Sequence, residues 1–274
     1  MADKQRRILF IGAHPDDADI LCGGTASRLS KAGHLVKFVS ATNGDTGHQT
    51  MSREETAKVR YRETQNSAKL GGLYEYQVLN HDCGIEASVE NRREIVRIIR
   101  NFAPDVVISH RLFDYHPDHR ATAQLVFDTT FVVMVPHFCE DAPVPEQRPV
   151  YAYSYDRFLE PRPFRIDAAI EIDSVLDCKL SLLDCHRSQF YEWLPWIDGI
   201  DKNFDVTKLS KEQIRQHLLR WCEANRTCAN NAREWLKEVY GEERGSRIVY
   251  AEVFEQSAYS RCVSRREFQA LLEP

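Results

Sequence analysis

Ile8-Leu9-Phe10-Ile11-Gly12-Ala13-His14-Pro15-Asp16-Asp17 runs from an apolar stretch straight into a polar turn. An apolar run without alternation, closed by glycine, reads as a strand buried on both faces of a parallel sheet. It is therefore expected as a central first strand. Downstream, Ile20, Leu21, Ala26, Leu29 and Ala32 recur at roughly helical spacing, Gly33 supplies a stop, and Leu35 to Ala41 reads as a second strand. Together these make one βαβ unit.

The unit then repeats. A polar loop from Thr42 to Ser52 leads to a helix from about Arg53 to Leu70, closed by Gly71-Gly72, and to a strand near Gln77-Val78-Leu79. A helix over Val89 to Phe102, a strand over Asp105 to Ser109 and a helix from about Asp118 towards Val133 follow. Such alternation specifies an α/β, Rossmann-like fold: a mostly parallel sheet with helices on both faces. Four prolines between Pro136 and Pro149 mark a long loop before a β-rich stretch at Tyr151 to Tyr155. Beyond it, Asp173 to Gln189 reads as a capped helix, Lys211 to Tyr240 as one or two amphipathic helices, and Arg247 to Phe254 as a strand. We expect residues 1–190 to form one α/β domain and 191–274 a C-terminal α+β extension packed on it.

Chemistry concentrates at two strand ends, the places where parallel α/β sheets bind ligands. His14 and Asp17 flank a tight turn that Pro15 helps to set, so imidazole and carboxylate can converge while Asp16 points elsewhere. His116-Pro117-Asp118-His119 repeats the His-Pro-Asp turn after a later strand, with His110 and Asp114 upstream and Arg120 beside it. Either turn alone is compatible with a helix cap or a hydrogen-bonded histidine. Two of them can unite His14, Asp17 and His119 as a His/His/Asp site with open positions, the pattern of a catalytic zinc, with iron, manganese and cobalt left open by spacing alone.

These turns resemble the two signatures of the LmbE-like, or PIG-L, family of zinc-dependent N-deacetylases (GlcNAc-PI de-N-acetylase-like). The resemblance extends to Thr42-Asn43-Gly44-Asp45-Thr46-Gly47, to Arg60 with Glu63, to Asp82 and to His186-Arg187-Ser188-Gln189, covering roughly residues 7 to 190. It implies one zinc per chain, held by His14, Asp17 and His119. It also implies Asp16 as general base, His116 stabilising the oxyanion and Asp118 orienting His116. The implied reaction removes an N-acetyl group from an N-acetylglucosamine-type amino sugar or conjugate. Family members usually carry Glu after the paired aspartates; here Ala18 stands there, with Asp19 next.

For substrate binding the candidates are Asn43, Asp45, Arg53 and Asp82, polar groups on strand-end loops, with His48 and Arg60 nearby. Arg60 and Glu63, at helical spacing, also fit a structural ion pair. Trp193 and Trp196 fit either a sugar-stacking wall or loop packing.

Composition narrows the classes further. A net charge of −5 from 36 basic and 41 acidic residues gives no footprint for nucleic acid. No apolar run approaches the ~18 residues of a membrane span, and the charged start, Met1 to Arg7, leads into a strand, so a cytoplasmic protein is expected. Eight cysteines without a CxxC pair read as reduced thiols, Cys178 and Cys185 as core packing. The expected partner is a small amino sugar; a homo-oligomer stays open. Three other classes share parts of this pattern. One is a zinc amidase on another acylated amine or a thiol conjugate. A non-catalytic Rossmann-like binding protein fits less well, because Asp16 and His116 would then be idle. A dinucleotide dehydrogenase fails, because Gly12-Ala13-His14 lacks the G-x-G-x-x-G turn.

Overall fold

The computed structural model describes residues 5–199 and 205–274. Its elements run β1 (Arg7–Gly12), α1 (Asp17–Lys31), β2 (Leu35–Ser40), α2 (Arg53–Gly71), β3 (Glu75–Val78), α3 (Val89–Phe102), β4 (Val106–Ser109), α4 (Pro117–Phe127) and α5 (Thr129–Val132). Then come β5 (Val150–Ser154), β6 (Ala168–Glu171), α6 (Leu176–Cys185), α7 (Leu194–Ile197), α8 (Lys211–Leu219), α9 (Glu223–Asn231), α10 (Arg233–Tyr240), α11 (Glu242–Arg247), β7 (Ala251–Gln256) and α12 (Arg265–Leu272).

One seven-stranded sheet has the order β3-β2-β1-β4-β5-β7-β6. β1 to β5 pair in parallel; β7 is antiparallel to both β5 and β6. Strand β1 is central, and its side chains alternate between two cores. Ile8 and Phe10 pack with Ala18, Cys22, Ala26 and Leu29 of α1 and with Phe268 and Leu272 of α12. Leu9 and Ile11 pack on the other face with Ile95, Ile99 and Phe102 of α3 and Val126 of α4. The chain leaves β1 towards β2 and β3, then returns to build β4 and β5 on the other side. The crevice beyond the ends of β1 and β4 is thus the switch point where such sheets bind ligands.

Several boundaries differ from the sequence reading, each for a physical reason. The Asp118–Val133 helix is interrupted at Asp128, whose carboxylate is taken by Arg92 and Gln124. The Asp173–Gln189 helix is shorter: the Asp173 carboxylate accepts from the amides of Val249 (2.8 Å) and Tyr250 (2.7 Å) instead of capping its own helix. A π-helical turn, Ser188–Trp193, follows α6. The expected strand Arg247–Phe254 begins only at Ala251, because α11 occupies Glu242–Arg247. Strand β6 and helix α12 lie outside the elements expected from the sequence. Strand β7 lies inside the sheet, so the last segment completes the core and does not merely rest on it. All eight cysteines are free, and no helix among the described residues is long and apolar enough to cross a membrane.

Candidate metal centre and its cavity

The end of β1 and the start of α1 build the first half of the site. Asp17 turns back so that its Oδ2 accepts the amides of Ala13 (2.9 Å) and His14 (2.8 Å). This fold-back requires Gly12: a Cβ there would stand 2.8 Å from the Cβ of Asp17. Asp16 precedes the helix without capping it, and its Oδ1 instead meets the guanidinium of Arg60 at 2.8 Å, both groups buried. Arg60 also donates to the carbonyl of Gly44 (3.2 Å), at a position of φ +70 where a Cβ would strike the guanidinium at 2.5 Å. Glycine is needed there twice over.

The second half comes from the turn before α4. His116 is the N-cap, its Nδ1 accepting the amide of Asp118 at 3.1 Å, with Pro117 at the first helical position. Asp114 Oδ1 accepts from the amide of His116 (2.8 Å) and lies 3.1 Å from His119 Nδ1. Asp118 reaches across to His14 Nε2 at 3.2 Å and accepts the amide of Gly84 at 2.9 Å.

The result is a double tether. His14 has Nε2 tied to Asp118 and Nδ1 3.6 Å from Asp17 Oδ2; His119 has Nδ1 tied to Asp114 and Nε2 3.5 Å from Asp17 Oδ1. His110, at the end of β4, adds Nε2 at 3.1 Å from Asp17 Oδ2. Imidazole nitrogens and carboxylate oxygens are ligands that suit zinc. Donor atoms of His14, His116 and His119, and of Asp17, His110 and His119, lie within 4.8 Å of one another, a spacing that fits one ion.

Electrostatics follow from this packing. Burial works against charge on His14, yet the carboxylates of Asp118 and Asp17 raise its pKa well above the usual value. Burial likewise opposes ionisation of Asp17, and His119, His110 and His14 hold it well below the usual range. Burial, then the charges of His14 and His119, push His116 down to about 4. Because its Nδ1 accepts the Asp118 amide, the ring proton sits on Nε2, making His116 a neutral donor.

A cavity of about 480 Å³ opens on the cluster and is lined by His14, Asp16, Asp17, Arg60, His116 and His119 among others. Two assignments need correcting. The Asp118 side chain orients His14, not His116, which it holds only through its amide. The four substrate candidates do not line this cavity. They bind one another instead: Arg53 pairs with Asp45 and, at 3.2 Å, with Asp82, while Asn43 donates to Asp82 at 3.1 Å. Asp45 also accepts the amide of Cys83 at 2.9 Å. His48 is held by Glu192 at 2.8 Å.

Arg60 and Glu63 are not a pair: Glu63 accepts from the amide (2.7 Å) and hydroxyl (2.6 Å) of Ser188, tying α2 to the His186-Arg187-Ser188-Gln189 segment. Asp19 is fully buried against His186 Nε2 (2.8 Å) and the Ser67 hydroxyl, so it does not stand in beside the cluster for the family's usual Glu. Trp193 lines the cavity and stacks on Trp196, ring centroids 5.5 Å apart. Wall residues missed in the sequence include Tyr115, Arg111, Asp156 and Phe158. Of these only the Tyr115 position, inside the second turn, carried a local signal.

Residues 9–130 match the family described as PIG-L: GlcNAc-PI de-N-acetylase. The uncharacterized deacetylase YaiS of Escherichia coli is 31% identical over 130 residues, 45% of this chain and 67% of that protein. The chain belongs to the PIG-L family. Diacetylchitobiose deacetylase of Thermococcus kodakarensis is 29% identical over 208 residues, covering 71% of this chain and 76% of its own length. The structure of N,N'-diacetylchitobiose deacetylase from Pyrococcus horikoshii superposes with a TM-score of 0.68 at 25% identity, covering 93% of this chain and 85% of that one. Among the described residues of this PIG-L member all seven strands contribute to one sheet, and both halves of its candidate metal centre fall within the matched segment.

Proposed function

We propose that this chain is a zinc-dependent hydrolase that removes the N-acetyl group from an N-acetylglucosamine-type amino sugar or conjugate, with one ion per chain held by His14, Asp17 and His119. The observation that carries the reading is the double tether: each histidine has one nitrogen fixed by a carboxylate and the other directed at Asp17. Such outer carboxylates fix the tautomer and raise the basicity of ligating imidazoles. The chemistry a zinc ion supplies in this place is polarisation of the amide carbonyl and a lowered pKa for water, towards ~7.

The chain's own residues do the rest. Asp16, fixed through Oδ1 by Arg60 and lining the cavity, takes the proton of the attacking water and returns it to the departing amine nitrogen. His116 donates its Nε2 proton to the oxyanion as a neutral hydrogen-bond donor. The amino-sugar assignment leans on the diacetylchitobiose deacetylases this chain resembles.

A second reading, an amidase acting on another acylated amine, is favoured by one feature. Ile20 and Leu21 line the same cavity one helical turn from Asp17, and Leu194, Trp221 and Val253 line it too, so its wall offers apolar surface to a larger acyl group. The test is release of free acid from glucosamine N-acylated with chains of increasing length, by zinc-reconstituted wild type and Asp16→Ala, with metal content measured on both. We expect acetate release by wild type, lost ~10²–10⁴-fold in Asp16→Ala with zinc retained. Turnover only of longer acyl groups selects the second reading, and a wild type without bound metal ends both.

A further inference from the structure

We infer that His110 is a positioning residue for the metal centre: its Nε2–H saturates Asp17 Oδ2 and leaves Asp17 Oδ1 as the one oxygen presented to the ion. The inference rests on the metal reading above and goes beyond the three ligands it names.

His110 is buried at the end of β4, its ring edge-on to Phe10 (centroids 6.3 Å, 81°). Its Nε2 lies 3.1 Å from Asp17 Oδ2. The Ala13 amide also lies 3.1 Å from this nitrogen but is closer to Oδ2, at 2.9 Å; with that amide given to the carboxylate, an oxygen that only accepts, the remaining contact between ring and carboxylate is an Nε2–H donated to Oδ2. The same oxygen already receives the amides of Ala13 (2.9 Å) and His14 (2.8 Å). Three donors therefore converge on Oδ2, whereas Oδ1 faces His119 Nε2 at 3.5 Å. An oxygen with three donors has little lone-pair density to offer a cation; its twin keeps all of its own.

His110 also belongs to a cluster whose donor atoms fit an ion, together with Asp17 and His119, so it must be asked whether it is itself a ligand. The ring geometry answers. His110 and His119 are stacked, centroids 4.1 Å apart and planes within 3° of parallel. The lone pair of an imidazole nitrogen lies in the ring plane, so two stacked rings aim theirs within separate parallel planes, which do not meet on one ion. One of the pair ligates; the other braces. His119 has its Nδ1 tied to Asp114 and its Nε2 free for Oδ1's side, which makes it the ligand and His110 the brace.

Two variants separate bracing from packing. His110→Leu removes the donor and keeps an apolar side chain of moderate size, and His110→Gln restores an N–H donor near the place of Nε2. Zinc affinity, read by competition with a chromophoric chelator, is expected to fall ~10–100-fold in His110→Leu and to recover most of the loss in His110→Gln, with the metal-free proteins melting alike. On metal-free wild type, ¹⁵N-resolved NMR of the histidine rings should place the His110 proton on Nε2. A leucine variant that binds zinc as wild type does, equal losses in both variants, or a proton on Nδ1 each overturn the assignment. Both readouts work without substrate, so a wild type that binds zinc normally yet releases no acid counts against the hydrolase reading alone.

Discussion

The two His-Pro-Asp turns look like copies in the sequence, and the structure uses them in different registers. In the first, the helix starts at Asp17, two residues past the proline, and His14 stands outside it. In the second, the helix starts at the proline itself and His116 is the cap. The shift of register redistributes the work. Carboxylates dominate the first turn: Asp17 folds back onto amides and Asp16 goes to Arg60. Imidazoles dominate the second: His116 caps and His119 faces Asp17, while Asp118 is exported to the first turn to hold His14. Identical tripeptides thus give complementary halves, because the first contributes the anion, Asp17, and the second the imidazole that faces its Oδ1.

Replacing His116 tests this division most severely. His116→Asn keeps a side chain that caps helices well and deletes the Nε2–H donor. If the residue's chemical role is separate from its cap, kcat should fall ~10²–10³-fold with thermal stability and zinc content nearly unchanged. A variant that unfolds at lower temperature but turns over normally would reduce His116 to a cap and break the comparison.

Asp118→Ala comes next in size. With its carboxylate on His14, the expected loss is ~10–100-fold in zinc affinity, measured by chelator competition. Were Asp118 instead to orient His116, the same variant would bind zinc normally and lose kcat alone. The two variants together decide which half of the site the exported carboxylate serves.

Local pattern made much of this legible. Strand β1, helices α2 and α3 and both turns were readable because each depends on spacing within one short segment, and the convergence of His14, Asp17 and His119 followed from placing two such segments at neighbouring strand ends. What escaped depends on distant partners. That Arg60 meets Asp16 and Glu63 meets Ser188 follows from how α2 packs, not from the three-residue spacing that made them look like a pair. Strand β6 is four residues, two of them alanine, too short and too weakly apolar to register. Helix α12 was readable: Ser264-Arg265-Arg266-Glu267 is a capping box, and both of its reciprocal hydrogen bonds are present.

The polar loop beside the first turn supplies the last and smallest effect. Asn43, Asp45, Arg53 and Asp82 meet the same criterion as the turns, polar side chains just past strand ends, yet they satisfy one another and the cavity at the histidine cluster has other walls. Arg53 is largely exposed, and exposed ion pairs contribute little because water and salt screen them. Removing it leaves Asp45 its hydrogen bond from the amide of Cys83, so the loop keeps its main anchor. Arg53→Ala should therefore change kcat/KM for the amino-sugar amide by less than about threefold, whereas a residue binding a substrate hydroxyl in a water-excluded site costs far more when lost. A tenfold rise in KM at unchanged kcat would move the substrate onto this loop, and the cavity beside the histidines would then hold only the reacting amide.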